Sequence, residues 1–313
     1  ASEIISIELQ HSLSDGTLLS AMLCLTGPFF IKACLGFFGR FFLLRNNHYL
    51  LYYALPEFPR QKSQVNMSTN ALYTDLSDYY DLMCIDINYH QQSNMVRRLH
   101  QLFGKQAENH LDLACGTGPH VRHFMDFGYQ CSGLDINQPM LDLAKQRCPQ
   151  AQFSLQDMCG FSVAAPFDLI TCFLYSIHYS GNINKLKECI VSAHKALHLG
   201  GVFCFNAVDK DKIDNKLIAS HTAEHDGSDF AFSSAWHYSG HGEKQSLKLN
   251  IEKTTLEVKQ SWQDEHPMVA VNFEELQGLL KFYFEVHVFE HDYSKITPWD
   301  KQSGNAIFVC VKT

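Results

Sequence analysis

Hydrophobic and polar positions change rhythm along this chain, and the changes divide it. Tyr89–Phe103 carries Met95, Val96, Leu99, Leu102 and Phe103 at helical spacing, which predicts an amphipathic helix. His110–Ala114 is a short apolar run, which predicts a buried strand. The same two patterns then alternate. Helices are predicted over His120–Phe127, stopped by Gly128, over Pro139–Arg147, with proline near its first turn, and over Ile183–Leu197, stopped by Gly200 and Gly201. Strands are predicted over Gln130–Leu134, Ala151–Leu155, Phe167–Phe173 and Val202–Asn206. Strands alternating with helices imply a parallel sheet covered on both faces.

After Val208 the alternation stops. Residues 209–229 are polar and read as a mobile connection. Phe230–Tyr238, Ser246–Thr255 and Leu256–Trp262 read as successive antiparallel strands, Phe273–Leu280 as a helix. Phe284–His291 and Ala306–Val311 read as two strands returning to the main sheet, which brings it to seven. Four segments follow: an extension at 1–66, an α/β domain at 67–208, an antiparallel β insertion at 209–270 expected to form a substrate lid, and a C-terminal helix with the last two strands at 271–313.

Residues 1–66 have a different texture. Leu18–Leu44 is dominated by Leu, Phe, Ala, Cys and Gly, with Lys32 and Arg40 interrupting it. A membrane span needs about 20 apolar residues in a row, and Gly27-Pro28 weakens this one further. A membrane contact through 18–44 is therefore disfavoured. The other readings are an extra helical layer, or sequence joined upstream of a start at Met67, where Met-Ser-Thr-Asn follows the linker-like stretch Arg60–Asn66.

Composition narrows the function. The 313 residues are 46% hydrophobic and 19% charged, the balance of a globular protein. A net charge of −8 with no basic stripe disfavours nucleic acid and favours a small-molecule substrate. Eleven cysteines, with no CxxC pair, point to buried thiols in a reducing compartment, and so to the cytoplasm. Seventeen histidines form no HExxH or zinc spacing, so no metal site is expected.

The chemistry concentrates where predicted strands end. Leu111-Asp-Leu-Ala-Cys-Gly-Thr-Gly118 closes one strand and precedes a helix. Small residues there let backbone approach a ligand, and the helix offers free N–H groups. A dinucleotide fingerprint would need glycine at 121, where Val121 stands, which counts against NAD or FAD. Asp135 ends the second strand and can accept two ribose hydroxyls, with Asn137 the better helix cap. Asp157 follows the third strand, where a carboxylate can accept an adenine amino group. Met158 and Met140 are placed to sandwich the ring, although methionines are more often core.

LDLACGTG, GLDIN, QDM, FDLITCF and LHLGGVF, in this order, resemble the motifs of class I S-adenosylmethionine (SAM)-dependent methyltransferases across residues 73–208, and less specifically across 230–313. The resemblance implies a Rossmann-like fold of class α/β: a seven-stranded, mostly parallel sheet with helices on both faces, plus the antiparallel insertion. It implies SAM as cofactor, held by Asp112, Ala114, Gly116, Gly118, Asp135, Ile136, Met140, Asp157, Met158 and Phe173. Within the family, Tyr79-Tyr-Asp-Leu82 and Phe173-Leu-Tyr-Ser-Ile-His-Tyr179 look most like the small-molecule, sugar-amine-type N-methyltransferases. There a tyrosine near the N-terminal helix closes over SAM, which makes Tyr80 and Tyr89 candidates. A serine-isoleucine turn faces the substrate, which points to Tyr175, Ser176, His178 and Tyr179.

Methyl transfer to an amine requires the amine to lose a proton before attack. His178 and Tyr179 are the expected catalytic pair, His237 or His241 from the insertion are the second choice for that role, and His237 is also expected on the substrate. Packing is the competing role for both tyrosines and for Trp236, Trp262 and Trp299, and a hydrogen-bonded structural role competes for His178. O-methylation of a small molecule, RNA methylation and non-catalytic SAM binding are the alternatives. The missing NPPY-like tetrapeptide after strand four, where Cys172-Phe-Leu-Tyr175 stands, counts against RNA. The strands between 230 and 262 also offer an edge for a homodimer.

Overall fold

The computed structural model describes residues 6–12, 18–25, 31–34, 65–67, 71–73, 76–105, 107–256 and 258–313. The chain separates into two units, residues 1–60 and 61–313. In the first, β1 (Ser6–Ser12), β2 (Leu18–Leu25) and β3 (Ile31–Cys34) form an antiparallel sheet in that order. The described part of the apolar 18–44 segment is thus strand, not the helical layer weighed above. The alternating Ile7-Glu8-Leu9-Gln10 of β1 supplies a backbone partner, with Leu9 opposite Ala21. The remainder of that segment lies outside the described residues.

The second unit opens with β4 (Val65–Met67), α1 (Tyr80–Met83) and α2 (Tyr89–Phe103). There follow β5 (Asn109–Leu113), α3 (Pro119–Asp126), β6 (Gln130–Asp135), α4 (Gln138–Arg147), β7 (Gln152–Leu155) and β8 (Phe167–Cys172). Then come α5 (Ile183–Ala196) and β9 (Leu197–Val208). The antiparallel strands are β10 (Ala219–His225), β11 (Ser228–Tyr238), β12 (Lys244–Thr255) and β13 (Val258–Val269). The unit closes with α6 (Phe273–Leu280), β14 (Glu285–Glu290) and β15 (Asn305–Val311).

The main sheet has seven strands in the order β14-β15-β9-β8-β5-β6-β7. Only β15 runs against its neighbours; β5 pairs in parallel with both β6 and β8. Strand order reverses between β5 and β8, the switch point at which crevices open beyond the strand ends in such sheets. The strands are apolar on both faces because both are covered. Along β15, Ile307 and Val309 join the core under α2, α3 and α4, whereas Phe308 and Cys310 join the core under α5 and α6. Val202 and Cys204 of β9 alternate with Phe203 and Phe205 in the same way.

A second sheet runs β10-β11-β12-β13-β4, with only the β4 pairing parallel. Its Phe230, Phe232, Leu249 and Ile251 pack against Leu72 and Leu76, with Tyr73, Tyr79 and Tyr80 at the margin. This third core carries the aromatic N-terminal turns, which include short 3-10 helices at Ala71–Tyr73 and Ser77–Tyr79. Two sequence expectations change here. Residues 209–229 contain a strand, β10, because its backbone pairs with β11 even though most of its side chains are exposed. Strand β13 continues past Trp262 to Val269, because Asp264, His266 and Met268 turn inward between outward polar neighbours.

Phe308 is fully buried, stacked on Phe205 with ring centroids 5.1 Å apart and edge-on to Phe273 at 5.3 Å. Phe308→Ala is expected to lower unfolding free energy by about 3–5 kcal/mol, measured as a shift of the urea midpoint at unchanged slope.

Candidate active site

The β5–α3 turn is built by left-handed residues. Ala114, Gly116 and Gly118 have φ of 51°, 54° and 79°. At Gly118, which caps α3, a Cβ would stand 3.2 Å from the Cβ of Ala144, so glycine also lets α4 approach. At Gly116 a Cβ would meet only the Tyr80 ring, at 3.9 Å, so it would protrude into the space beside the loop.

Asp135, at the end of β6, holds this turn in place. Its Oδ2 accepts the Gly116 N–H at 2.9 Å, and its Oδ1 accepts the Asn137 N–H at 2.8 Å and the Asn137 Nδ2 at 3.2 Å. Burial raises its pKa above the ordinary value, and these N–H donors counteract the rise. Sequence makes Asn137 the expected cap of α4; its side chain binds the Asp135 carboxylate instead and makes no cap bond. Asp81, beside Tyr80, accepts from the Thr117 hydroxyl at 2.7 Å and pairs with Arg147 of α4. The Tyr80 turn is thereby fastened over the glycine loop.

A small cleft, with a cavity of about 20 Å³, lies at the switch point. Among its lining residues are the expected Tyr80, Tyr89, Asp112, Ala114, Gly116, Phe173 and Ser176. Cys115, Pro119, His120 and Leu174 join them without having been foreseen. His120 had a sequence signal: it stands in the first turn of the helix that follows a glycine loop. Its Nδ1 pairs with the Ser93 hydroxyl at 3.0 Å, while its Nε2 and the Tyr89 hydroxyl are buried without partners among the described residues. Desolvation drives the His120 pKa down to about 3, so it is neutral. Leu174 and Tyr175 follow β8 at φ of 52° and 62°. Two successive non-glycine residues in that region store strain of the kind that gathers at functional sites.

Asp112 is 2% exposed and accepts the Thr171 hydroxyl at 2.6 Å; Thr171 in turn pairs with His110 Nε2 at 2.7 Å. Desolvation pushes its carboxyl up to about 7, against the Thr171 bond. The cleft thus offers a carboxylate poised to ionise beside a cationic group, unpartnered polar groups, and a glycine turn with open backbone. Val121, where a dinucleotide fold would need glycine, is fully buried.

Compared with known proteins, residues 111–201 match the family model described as a methyltransferase domain. Over those residues the chain is similar to methyltransferase domains. It is 33% identical over 99 residues to the dTDP-4-amino-2,3,4,6-tetradeoxy-D-glucose N,N-dimethyltransferase of Saccharopolyspora spinosa, covering 31% of this chain and 39% of that protein. It is 34% identical over 110 residues to the dTDP-3-amino-3,6-dideoxy-alpha-D-glucopyranose N,N-dimethyltransferase of Streptomyces fradiae, covering 34% and 43%. The chain thus matches about two fifths of the length of these relatives. The crystal structure of Streptomyces venezuelae DesVI superposes with a TM-score of 0.67 at 22% identity, over 77% of this chain and 99% of that one, which establishes a shared fold.

The other residues expected at the site lie around the cleft instead of lining it. Met140 is 1% exposed, and Met158 belongs to the core under α5 and α6, so neither leaves a free apolar face. Ile136 is 66% exposed, directly after Asp135. Asp157 accepts the Cys159 N–H at 2.8 Å in its own turn. Tyr175 stacks on His291 and meets Trp236 edge-on. His237 is exposed, because alternation along β11 sends it to the face opposite Trp236; it does not join the other site residues. His241 is exposed in the β11–β12 loop. Trp262 packs against the third core, and Trp299 packs on Phe273 with Nε1 donating to Ser303 O.

His178 and Tyr179 share one short 3-10 turn, Ser176–Ser180, but point to different work. The His178 Nε2 accepts the Val208 N–H at 3.0 Å, which leaves Nδ1 protonated towards Val269 O, also at 3.0 Å. Burial lowers its pKa to about 4. Both ring nitrogens are engaged with backbone, the structural role weighed against catalysis above. The Tyr179 hydroxyl lies 2.6 Å from the Tyr73 hydroxyl and 2.6 Å from His266 Nδ1. His266 was missed because the expected strand ended at Trp262. Among the described residues, no group of three or more His, Cys, Asp or Glu is placed to hold a metal ion.

Asp112 also sets a pH dependence. Its native carboxyl keeps a proton to about pH 7, whereas an unfolded one loses it near pH 4. Between these values the native state binds the extra proton, so this group makes stability fall as pH rises from about 4 to about 7. Asp112→Asn keeps an oxygen for Thr171 without that loss. The variant is expected to melt above the wild type at pH 8, the gap closing towards pH 4, in scanning calorimetry.

Proposed function

We propose that this chain is a SAM-dependent methyltransferase that methylates the amine nitrogen of a small molecule, with an amino sugar carried on a nucleotide as the substrate class. The observation that carries the cofactor reading is the glycine turn pinned by Asp135 beside Asp112. Asp112 ionises as it meets an ammonium, and the unpartnered His120 Nε2 and Tyr89 hydroxyl suit a carboxylate. Those are the two charges of a methionyl group. Asp135 keeps further acceptor capacity for ribose hydroxyls, and Ile136 offers an exposed apolar face for a purine. When bound, SAM would supply an electrophilic methyl group on its sulfonium sulfur.

The protein then has to orient the acceptor and remove its proton. Tyr80 and Ser176 line the cleft, and Tyr73 packs against both Tyr80 and Tyr179, with ring centroids 5.8 Å from each. This arrangement supports Tyr179 as the group that receives the amine proton. With both His178 nitrogens engaged, that residue fixes the turn. The sheet β10–β13 supplies an acceptor-side wall through Trp236 and serves as the lid. The dTDP-amino-sugar substrates of the curated relatives support the choice of an amine over an oxygen acceptor. Nine cysteines, all free and buried among the described residues, support a reducing, cytoplasmic setting. No described helix is long and apolar enough to cross a membrane. The exposed backbone edge of β10 suits pairing into a homodimer.

SAM and S-adenosylhomocysteine are expected to raise the melting temperature, and NAD is not. Asp135→Ala is expected to remove the shift, because the glycine turn loses its anchor and the ribose its acceptor. Radiolabel transfer from SAM to a panel of dTDP-amino sugars and their hydroxy counterparts tests the acceptor. Transfer only to the hydroxy compounds would reverse the nitrogen assignment.

A further inference from the structure

Behind Tyr179 lies a buried chain of polar groups that the reaction outlined above leaves unused. Tyr73 OH and Tyr179 OH are 2.6 Å apart, and Tyr179 OH and His266 Nδ1 are 2.6 Å apart. His266 Nε2 faces Asp264 Oδ2 at 3.7 Å, and that oxygen also accepts the Leu72 N–H at 3.3 Å. The His266 and Asp264 side chains are 1% and 5% exposed. His266 Nε2 and Asp264 Oδ1 have no hydrogen-bond partner among the described residues. Asp264 and His266 are two apart on β13 and so share its inner face. Two unsatisfied polar atoms in one buried cluster are costly and call for a reason.

We propose that Asp264 and His266 are positioning residues that make Tyr179 a proton acceptor, forming an Asp–His–Tyr relay that ends at the methyl acceptor. This rests on the amine-methylation reading. A carboxylate facing Nε2 favours a proton on that nitrogen, and Nδ1 is left to accept the Tyr179 hydroxyl. The Tyr179 oxygen accepts from Tyr73 and keeps capacity for one more donor. An ammonium acceptor gives its proton to that oxygen as Tyr179's own proton crosses to His266 Nδ1. The imidazolium so formed faces the Asp264 carboxylate. The freed lone pair on nitrogen forms the new N–C bond as the methyl–sulfur bond breaks, its electron pair staying on sulfur. Proton and charge balance without any oxidant or further reagent.

The relay answers a difficulty that Tyr179 has alone. Burial raises its phenol pKa well above the ordinary value, so a lone Tyr179 would not hold an added proton or give up its own. An imidazole one hydrogen bond away takes the proton instead. Desolvation lowers the pKa of His266, so it rests neutral at physiological pH, and the opposing pull of Asp264 favours the imidazolium once a proton arrives. Facing it, among the described residues, are Asp264 on its own strand and Tyr73 and Tyr179 from the two turns, with the apolar Leu247 opposite on β12. Glu265 alternates to the other face and bonds Ser246.

Long-range 1H–15N spectra of the full chain with labelled histidine read the tautomer without any substrate. His266 is expected neutral at pH 7, with Nε2 protonated and Nδ1 bare, and Tyr179→Phe is expected to move the Nδ1 resonance most. A proton on Nδ1 would overturn the relay. In turnover of dTDP-3-amino-3,6-dideoxy-alpha-D-glucopyranose, H266Q and D264N are expected to lower kcat. The loss is about 100-fold at pH 7 for H266Q, narrowing by pH 9 where the amine deprotonates unaided, with KM for SAM unchanged. An equal loss at every pH would mark a merely structural pair and overturn the proposal. A wild-type chain inactive on every amine would instead overturn the proposed function, while the tautomer would still decide the relay.

Discussion

The carboxylate of Asp135 is the constraint on which the site depends. It sits at the end of β6, one strand away from the switch point, and reaches across to the Gly116 N–H of the β5 turn. A left-handed turn of small residues has many alternatives in an unfolded chain. A buried carboxylate with three N–H donors selects one of them, because any other leaves a desolvated charge unsatisfied. The cleft is lined by Gly116 of the turn that this group holds.

Around that fixed turn, three separate cores each deliver one wall. The core under α2, α3 and α4 carries His120 and Phe173; the core under α5 and α6 carries the end of β8 and the turn that holds Tyr179. The third, between the antiparallel sheet and the N-terminal turns, presents Tyr73 and Tyr80. The ion pair of Asp81 with Arg147, together with Thr117, links the last of these to the glycine loop. Half-exposed, that pair contributes little stability on its own, and its effect is to set the position of the Tyr80 turn.

Much of this was legible from pattern. Parallel strands buried on both faces read as apolar runs, and the turns between them are marked by glycine and proline, so the helices and strands of 89–208 emerge with boundaries within a few residues. The cleft residues Asp112, Ala114, Gly116, Phe173 and Ser176 were legible for the same reason: chemistry at a switch point must sit where strands end. What stayed hidden lies on the antiparallel sheet. There one face is solvated, so β10 looks like polar loop and the inward Asp264 and His266 look like the polar tail of a finished strand. Pairing register, which sequence does not print, decides that His237 turns out and His266 turns in. Met140 and Met158 show the converse: a residue type suited to an adenine platform was absorbed by packing, while Ile136, the neighbour of the key carboxylate, stays exposed.

The most direct measurement is a crystal structure of the chain grown with S-adenosylhomocysteine. The account requires the ribose on Asp135, the amino acid end between Asp112 and His120, and the sulfur directed towards Tyr80 and Ser176. Density for the product at another place, or an amino acid end turned away from Asp112, would contradict it.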